Sequence, residues 1–223
     1  MTQPRTILPD WHPLALSASI EPGTSAGAVV DGTEIAVWRD TAGRVHTWED
    51  RCPHRGMKLS FGFVRGDHIA CLYHGWQYDA DGQCQYIPAH PDLAVPKSIC
   101  VKTWPVAEAG GMVWVWLGRD QAAPPQTPDA TALRTLYLDC PLTLAVTLLS
   151  TPNPLGSPVR IAGALAQIDS PEGPLIIGLQ SIGPTRCALH ITLTAPATPA
   201  DRITLTHRAE ALRRLAETSE AGQ

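Results

Sequence analysis

The chain has 223 residues, a formal net charge of −4 and 17% charged residues. This length allows one large domain or two small ones with a real hydrophobic core, and the composition excludes a disordered chain. Because no block of like charge exists, nothing favours binding to nucleic acid or to an anionic membrane. Twelve of the 13 aromatic residues and six of the eight histidines precede residue 117, so the chain has two halves of different composition.

The N-terminal segment Met1–Asp10 lacks the pattern of a signal peptide, and no run of about 18 apolar residues predicts a membrane span. We therefore expect a cytoplasmic protein whose six cysteines are reduced. Four of these cysteines lie in strand-like apolar patterns and are interpreted as small buried hydrophobic residues: Cys84, Cys100, Cys140 and Cys187.

Short strands separated by turns are predicted from Trp11 onward. The pattern of Thr33–Arg39 alternates, and the Asp40–Gly43 turn makes Val45–Trp48 its hairpin partner. The remaining strand predictions are Asp67–Leu72, Trp76–Tyr78, Cys84–Ile87, Val101–Val106 and Gly111–Leu117. Residues 1–120 are therefore interpreted as one all-β domain.

A second domain is predicted over residues 131–223, after a proline-rich linker at residues 121–130. Its predicted strands are Leu142–Leu149, Val159–Ile168, Leu175–Ile182 and Arg186–Thr194. A helix follows, with an apolar stripe formed by Leu205, Ala209, Leu212 and either Leu215 or Ala216. The predicted fold class is mainly β: a β-domain followed by a small α+β domain, made of an antiparallel meander and a C-terminal helix.

Two short segments of the first half carry candidate metal ligands. The first contains Cys52 and His54 in the sequence CPHRG, and the second contains Cys71 and His74 in CLYHGW. Two thiolates and two imidazoles could hold a tetrahedral zinc ion. They could equally hold a Rieske [2Fe–2S] cluster, in which two Cys bind one iron and two His bind the other.

The arrangement within each segment favours the cluster. Each segment supplies one Cys and one His, whereas Cys2His2 zinc fingers keep their two Cys in one loop and their two His in another. Gly56 and Gly75 permit tight turns that can point backbone N–H groups at sulfur.

CPHRG together with CLYHGW resembles the Rieske domain of Rieske non-haem iron ring-hydroxylating oxygenases and demethylases. The resemblance covers about residues 10–118 and includes the WHPLALS segment, the turn before Cys84 and GGMVWVWLG. It implies that Cys52 and Cys71 hold the inner iron and that His54 and His74 hold the outer iron. Two neighbours that could shape the surface around the cluster are Arg55 and Trp76. The inter-loop disulfide of respiratory Rieske proteins has no counterpart, so we expect a potential towards the bottom of the roughly −150 to +300 mV Rieske range.

The catalytic domain of these oxygenases binds a mononuclear Fe(II) through two His and one carboxylate. The second half shows no such motif, and its histidines, His190 and His207, are interpreted as packing or surface residues. We therefore expect no mononuclear iron and no catalytic residue in this chain. We also expect that the chain does not act as an enzyme on its own. The expected function is an electron-transfer subunit of a hetero-oligomeric oxygenase, with a reductase or ferredoxin as donor and a catalytic subunit as acceptor. There are two alternatives. The first is a self-contained short oxygenase that uses His190 and His207, and the second is a free Rieske ferredoxin or redox-binding module.

Overall fold

The computed structural model describes residues 11–118 and 123–220. The predictions on Met1–Asp10 and on the domain boundary at residue 120 lie outside the described residues. The predicted fold class is confirmed, because antiparallel β-sheets dominate the structure and a long helix ends it. None of the described helices is both long and apolar enough to cross a membrane.

The first half consists of short antiparallel strands in three small sheets. The strands are β1 (Trp11–Leu16), β2 (Thr24–Val30), β3 (Thr33–Arg39), β4 (Val45–Glu49), β5 (Phe63–Arg65), β6 (His68–Ala70), β7 (Gln77–Asp79), β8 (Cys84–Tyr86), β9 (Thr103–Trp104), β10 (Val106–Ala109) and β11 (Met112–Trp116). The sheet orders are β1-β11-β10, β2-β3-β4-β9 and β5-β6-β7-β8. The predicted hairpin of β3 and β4 is confirmed, with Arg39 opposite Val45. The predicted strand Val101–Val106 is instead split at Pro105, which has no N–H to donate to a ladder.

The second half is one five-stranded antiparallel sheet with two helices. Its elements are β12 (Thr131–Leu138), α1 (Leu142–Leu149), β13 (Ser157–Ala162), β14 (Leu165–Ser170), β15 (Gly173–Gly183), β16 (Arg186–Leu193) and α2 (Pro199–Glu220). The strand order is β12-β16-β15-β14-β13, so β12 adds an edge strand that was not predicted.

Two of the four strands predicted in this half were wrong. Leu142–Leu149 is a helix, whose buried Ala145 and Leu149 are four residues apart and meet the core on one face. A short, continuously apolar run does not separate a strand from a buried helix by its period. Val159–Ile168 is two strands, because Gly163 turns the chain with φ +56.

Helix α2 is confirmed, and it begins with a reciprocal cap in which Thr198 and Asp201 each receive the other's backbone N–H. Its buried stripe includes Ala216, and Leu215 is 40% exposed.

We expect Leu205→Ala, at a fully buried position, to lower the free energy of unfolding by about 3 kcal/mol in urea titrations. Leu215→Ala is the matched control and should change it by less than about 0.5 kcal/mol. Equal effects of the two substitutions would contradict the packing of this helix.

The two halves contact each other through one face of the five-stranded sheet. Gly178 of β15 lies there, and a Cβ on it would come within 2.6 Å of the Met112 sulfur and 2.9 Å of Pro13. The opposite face of the sheet packs against α2, in a core that includes Leu189 and Ile191 of β16. The sheet therefore has one face towards the first half and one towards its own helices.

Candidate metal centre

The two segments that carry the candidate ligands fold into loops with the same backbone hydrogen bonds. In the first, Cys52 N–H donates to the Met57 carbonyl and Gly56 N–H donates to the Cys52 carbonyl. In the second, Cys71 N–H donates to the Trp76 carbonyl and Gly75 N–H donates to the Cys71 carbonyl. Both loops thus close over six residues, with a cysteine first and a glycine fifth.

Each of these turns requires its glycine. Gly56 has φ +72 and Gly75 has φ +69, which lie in the left-handed region that disfavours other residues. The residue after each glycine, Met57 or Trp76, accepts the N–H of the loop's cysteine through its carbonyl. This hydrogen bond closes the loop and leaves the histidine at the exposed tip. The common backbone pattern of the two loops could be predicted only in part from sequence, because the Cys-to-His spacing differs between them. His54 lies two residues after Cys52, whereas His74 lies three residues after Cys71.

The two cysteines lie together at the buried base of the loops. Cys52 and Cys71 are 2% and 3% exposed, and neither forms a disulfide. Burial is the main cause that raises the pKa of the Cys71 thiol, and the nearby Cys52 raises it further. The backbone N–H groups of Tyr73 and His74 act in the opposite direction, since they hydrogen-bond the Cys71 sulfur. A buried pair of thiols with N–H donors at the sulfur is suited to a metal, which removes the thiol protons.

The two histidines lie together at the exposed tip. The ring centroids of His54 and His74 are 4.7 Å apart. Desolvation, followed by the positive groups of His74 and Arg55, lowers the pKa of His54, which favours the neutral imidazole that binds metals. The side chains therefore form one thiol pair and one imidazole pair. Among residues 11–118 and 123–220, no group of three or more His, Cys, Asp or Glu side chains is arranged to hold a single metal ion.

This arrangement fits a two-iron cluster better than zinc. A tetrahedral zinc ion needs its four ligands around one point. A Rieske cluster needs two Cys at one iron and two His at the other. The four candidate ligands of this site are divided in the same way. The two cysteines lie together at the buried end, and the two histidines lie together at the exposed end.

A comparison with known families agrees with this geometry. Residues 10–105 match the family described as "Rieske [2Fe-2S] domain". This part of the chain is a Rieske domain. The chain is related through it to Rieske non-haem iron oxygenases.

Relatives of the Rieske domain occur in larger proteins. "Oxidoreductase NdmD" of Pseudomonas putida is 40% identical over 115 residues, which cover 51% of this chain and 20% of NdmD. "Protein TIC 55, chloroplastic" of Arabidopsis thaliana is 41% identical over 109 residues, covering 48% of this chain and 20% of that protein. The "3-chlorobenzoate-3,4-dioxygenase oxygenase subunit" of Comamonas testosteroni is 34% identical over 116 residues, covering 51% of this chain and 27% of that subunit. The matched stretches thus span about a fifth to a quarter of these relatives.

Solved structures share the fold of both halves. Apo dicamba monooxygenase superposes with a TM-score of 0.76 at 22% identity, covering 96% of this chain and 86% of that one. The QL mutant of Pseudomonas putida CBB5 NdmA with theobromine superposes with a TM-score of 0.68 at 17% identity, covering 94% of this chain and 81% of that one. The likeness extends beyond the Rieske domain into the five-stranded sheet.

Aromatic and basic side chains surround the two histidines. Trp76 stacks on His54 of the other loop, with centroids 4.2 Å apart and planes 6° from parallel. Tyr73 stacks on His74 at 3.9 Å, and the Arg55 guanidinium lies 5.7 Å from the Tyr73 centroid. Arg55 and Trp76 could be identified from sequence as neighbours of the candidate ligands, whereas Tyr73 could not. Both aromatic rings come from the second loop, and each lies against one of the two candidate histidine ligands.

Tyr78 is a second residue of the site that no sequence pattern indicated. Its hydroxyl lies 3.1 Å from the Cys52 sulfur, and burial raises its pKa, so the hydroxyl stays protonated. Tyr78 belongs to a strand predicted from sequence, but no sequence signal indicated which atom its hydroxyl meets. A thiolate at Cys52 would accept a hydrogen bond from this hydroxyl.

We expect Tyr78→Phe to lower the reduction potential of the holoprotein by tens of millivolts, measured by redox titration. The reason is that a hydrogen bond to sulfur stabilises the more negative, reduced state by on the order of 1 kcal/mol. Tyr86→Phe, which removes a hydroxyl from the exposed side of the neighbouring strand, is the control and should leave the potential unchanged. Equal potentials for Tyr78→Phe and the wild type would contradict this role.

The two histidines of the second half do not come together. His190 is buried on the sheet face towards the Rieske domain, with Nε2 2.7 Å from Gln180 Oε1 and Nδ1 2.9 Å from Thr135 Oγ1. His207 is exposed on α2, which packs against the opposite face. The interpretation of both as packing or surface residues agrees with these positions.

Three of the four remaining cysteines are buried as expected, namely Cys84, Cys140 and Cys187. The expectation for Cys100 was wrong, because it is exposed. It pairs with Gln83 only through an isolated bridge at the edge of the small β5–β8 sheet, so its side chain is not enclosed.

Proposed function

We propose that this chain is a Rieske [2Fe–2S] electron-transfer subunit of a non-haem iron oxygenase system. It takes electrons from a reductase or ferredoxin and passes them to a mononuclear iron on a partner subunit, for O2-dependent hydroxylation or demethylation. The observation that carries the proposal is the pairing of two buried thiols with two exposed imidazoles in a Rieske domain.

The proposed ligands are Cys52 and Cys71 for the inner iron and His54 and His74 for the outer iron. When bound, the cluster supplies reversible uptake and release of one electron. The buried thiolates keep the sulfur end away from water, and the backbone N–H groups at Cys71 partly neutralise its charge. The exposed imidazole edges of His54 and His74 provide the short route for an electron to another protein.

We propose the division into a Rieske domain at residues 1–120, a linker at 121–130 and a reduced relative of the oxygenase catalytic domain at 131–223. Three of the buried clusters support it, because each lies wholly within one half. A fourth cluster spans the contact and joins Trp114 of the first half to Ile176 of the second. The Comamonas testosteroni relative is named as an oxygenase subunit, which supports an assembly of several chains.

The site of oxygen activation is proposed to lie on a partner subunit. The separation of His190 and His207 by the five-stranded sheet supports this, since a facial triad needs two histidines and a carboxylate at one metal. A self-contained short oxygenase is the alternative that this geometry disfavours.

Metal analysis of the full chain tests the proposal. We expect two irons and two acid-labile sulfides per chain, with an EPR signal that appears on reduction. With a reductase alone, the chain should accept electrons without substrate turnover. A third, non-sulfide iron per chain together with turnover by this chain and a reductase alone would overturn the proposal.

A further inference from the structure

An exposed apolar surface lies beside the imidazole tip of the Rieske domain. The residues of this outer patch are 36% to 54% exposed: Phe63, Leu72, Tyr73 and Tyr86. Exposed aromatic side chains grouped in this way are typical of protein contact sites, whereas isolated ones are common on any surface.

The strand register makes the outer patch continuous. Phe63 pairs with Ala70, Ala70 with Gln77, and Gln77 with Tyr86, so these four side chains form one row on the same face of the β5–β8 sheet. The opposite face carries Val64, Ile69 and Tyr78, which are buried in the Rieske core.

The patch continues from this row to the candidate ligands. Ala70 directly precedes Cys71, and the same loop then exposes Leu72 and Tyr73. Tyr73 in turn stacks on His74. The exposed apolar surface therefore reaches the edge where an electron would leave or enter.

The charge around the patch is opposite to that of the chain. Residues 51–86, which include every patch residue, contain four basic residues, Arg51, Arg55, Lys58 and Arg65, and three acidic residues, Asp67, Asp79 and Asp81, whereas the whole chain has a net charge of −4. Lys58 is paired with Glu34, so the basic rim consists mainly of the arginines. Two of these cations lie over patch rings, with Arg65 5.5 Å from the Phe63 centroid and Arg55 5.7 Å from the Tyr73 centroid. An apolar centre with a basic rim is complementary to a partner with an acidic rim.

We propose that the outer patch is the docking surface for an acidic one-electron carrier protein that exchanges electrons with this chain. The inference rests on the proposed function and adds the surface and the charge of the partner. One electron leaves the reduced carrier and reduces the bound cluster by one electron, and no covalent bond forms or breaks. Attraction between the opposite charges orients the carrier, and the aromatic centre holds it against the imidazole edges.

The test measures electron transfer by stopped-flow absorbance from a reduced plant-type [2Fe–2S] ferredoxin, chosen for its acidic surface, to the oxidised full-length holoprotein. Raising the salt from about 0.01 M to about 1 M shortens the screening length from about 30 Å to about 3 Å, so the second-order rate should fall at least about tenfold. At low salt, Arg65→Glu and Phe63→Ser should each lower the rate about fivefold or more.

The matched control is Arg160→Glu, which makes the same charge change at an exposed position on β13 of the second half. It should change the rate less than about twofold. All variants should keep the wild-type visible spectrum, reduction potential and rate of reduction by dithionite, which separates docking from damage to the cluster.

Equal rates for the wild type, Arg65→Glu and Phe63→Ser would overturn the docking inference and leave the proposed function standing. A dimer of the wild type that Phe63→Ser dissociates in sedimentation would also overturn it, because the patch would then be covered by a second copy. Failure of the reduced holoprotein to exchange electrons with any carrier, acidic or basic, would instead overturn the proposed function.

Discussion

Cys71→Ala is expected to abolish the visible absorption and the reduced-state EPR signal of the purified chain. The substitution removes one of the two buried thiols of the proposed inner iron site. It also leaves the backbone N–H groups of Tyr73 and His74 facing a methyl group instead of sulfur. Because metal binding contributes folding free energy as well as chemistry, the loss should extend to the stability of the whole Rieske domain.

We expect the apparent free energy of unfolding to fall by more than about 4 kcal/mol, which exceeds the effect of most single substitutions. Cys52→Ala should behave in the same way, since Cys52 occupies the equivalent position in the matching loop. The control is Cys100→Ala, at an exposed cysteine, where the change should stay within about 0.5 kcal/mol with full EPR intensity. A full-strength reduced-cluster spectrum in Cys71→Ala would refute the proposed ligand set.

The residue types of the metal centre could be predicted from sequence because they are local. A cysteine, a histidine and a glycine within six residues define each loop, and the loops repeat this content at Cys52 and Cys71. The contacts between the loops could not be predicted in this way. The stacking of Trp76 on His54 and the hydroxyl of Tyr78 at Cys52 depend on how two distant segments meet in three dimensions.

The second half was harder for a physical reason. Strand β16 alternates clearly, and its prediction succeeded because Leu189 and Ile191 face the helices while His190 faces the Rieske domain. Helix α1 has apolar residues on nearly every side, so its period carried no information. Edge strand β12 is held in the sheet by its pairing with β16. The paired residues are 49 to 62 positions apart in the chain, and no local pattern indicates that pairing.

Acid is expected to weaken the contact between the two halves through His190. This imidazole lies on β16, and its partner Gln180 donates its amide N–H to the Val29 carbonyl of the Rieske domain. Since that amide nitrogen is a donor, Gln180 Oε1 accepts the hydrogen bond from His190 Nε2–H. The unprotonated Nδ1 then accepts from the Thr135 hydroxyl, so the neutral imidazole satisfies every partner.

Burial lowers the pKa of His190 to about 4 in the folded chain. In the unfolded chain it is about 6.5. Above pH 6.5 both states hold a neutral ring, and between 6.5 and 4 only the unfolded state takes up the proton. Stability therefore falls with falling pH across this window, by about 3 kcal/mol in total from this one group.

His190→Gln should remove this dependence. We expect the variant to be less stable than the wild type at pH 7 by about 1–3 kcal/mol, because it loses hydrogen bonds of a buried group. The difference should shrink by about 3 kcal/mol as the pH falls to 4, since only the wild type contains the buried imidazole. Urea titrations at each pH give the difference directly. His207→Gln, at the exposed histidine of α2, should run parallel to the wild type at every pH.

Hydrogen exchange locates the loss at the contact between the halves. The Asp31 and Gly32 amides of the Rieske domain donate to the Ser181 and Ile182 carbonyls at the end of β15. After correction for intrinsic exchange, their protection should fall in the wild type between pH 6.5 and 4 and stay level in His190→Gln. A wild-type and a His190→Gln chain that lose protection equally would show that another group responds to the acid. Level protection in both chains would show that His190 does not couple the two halves.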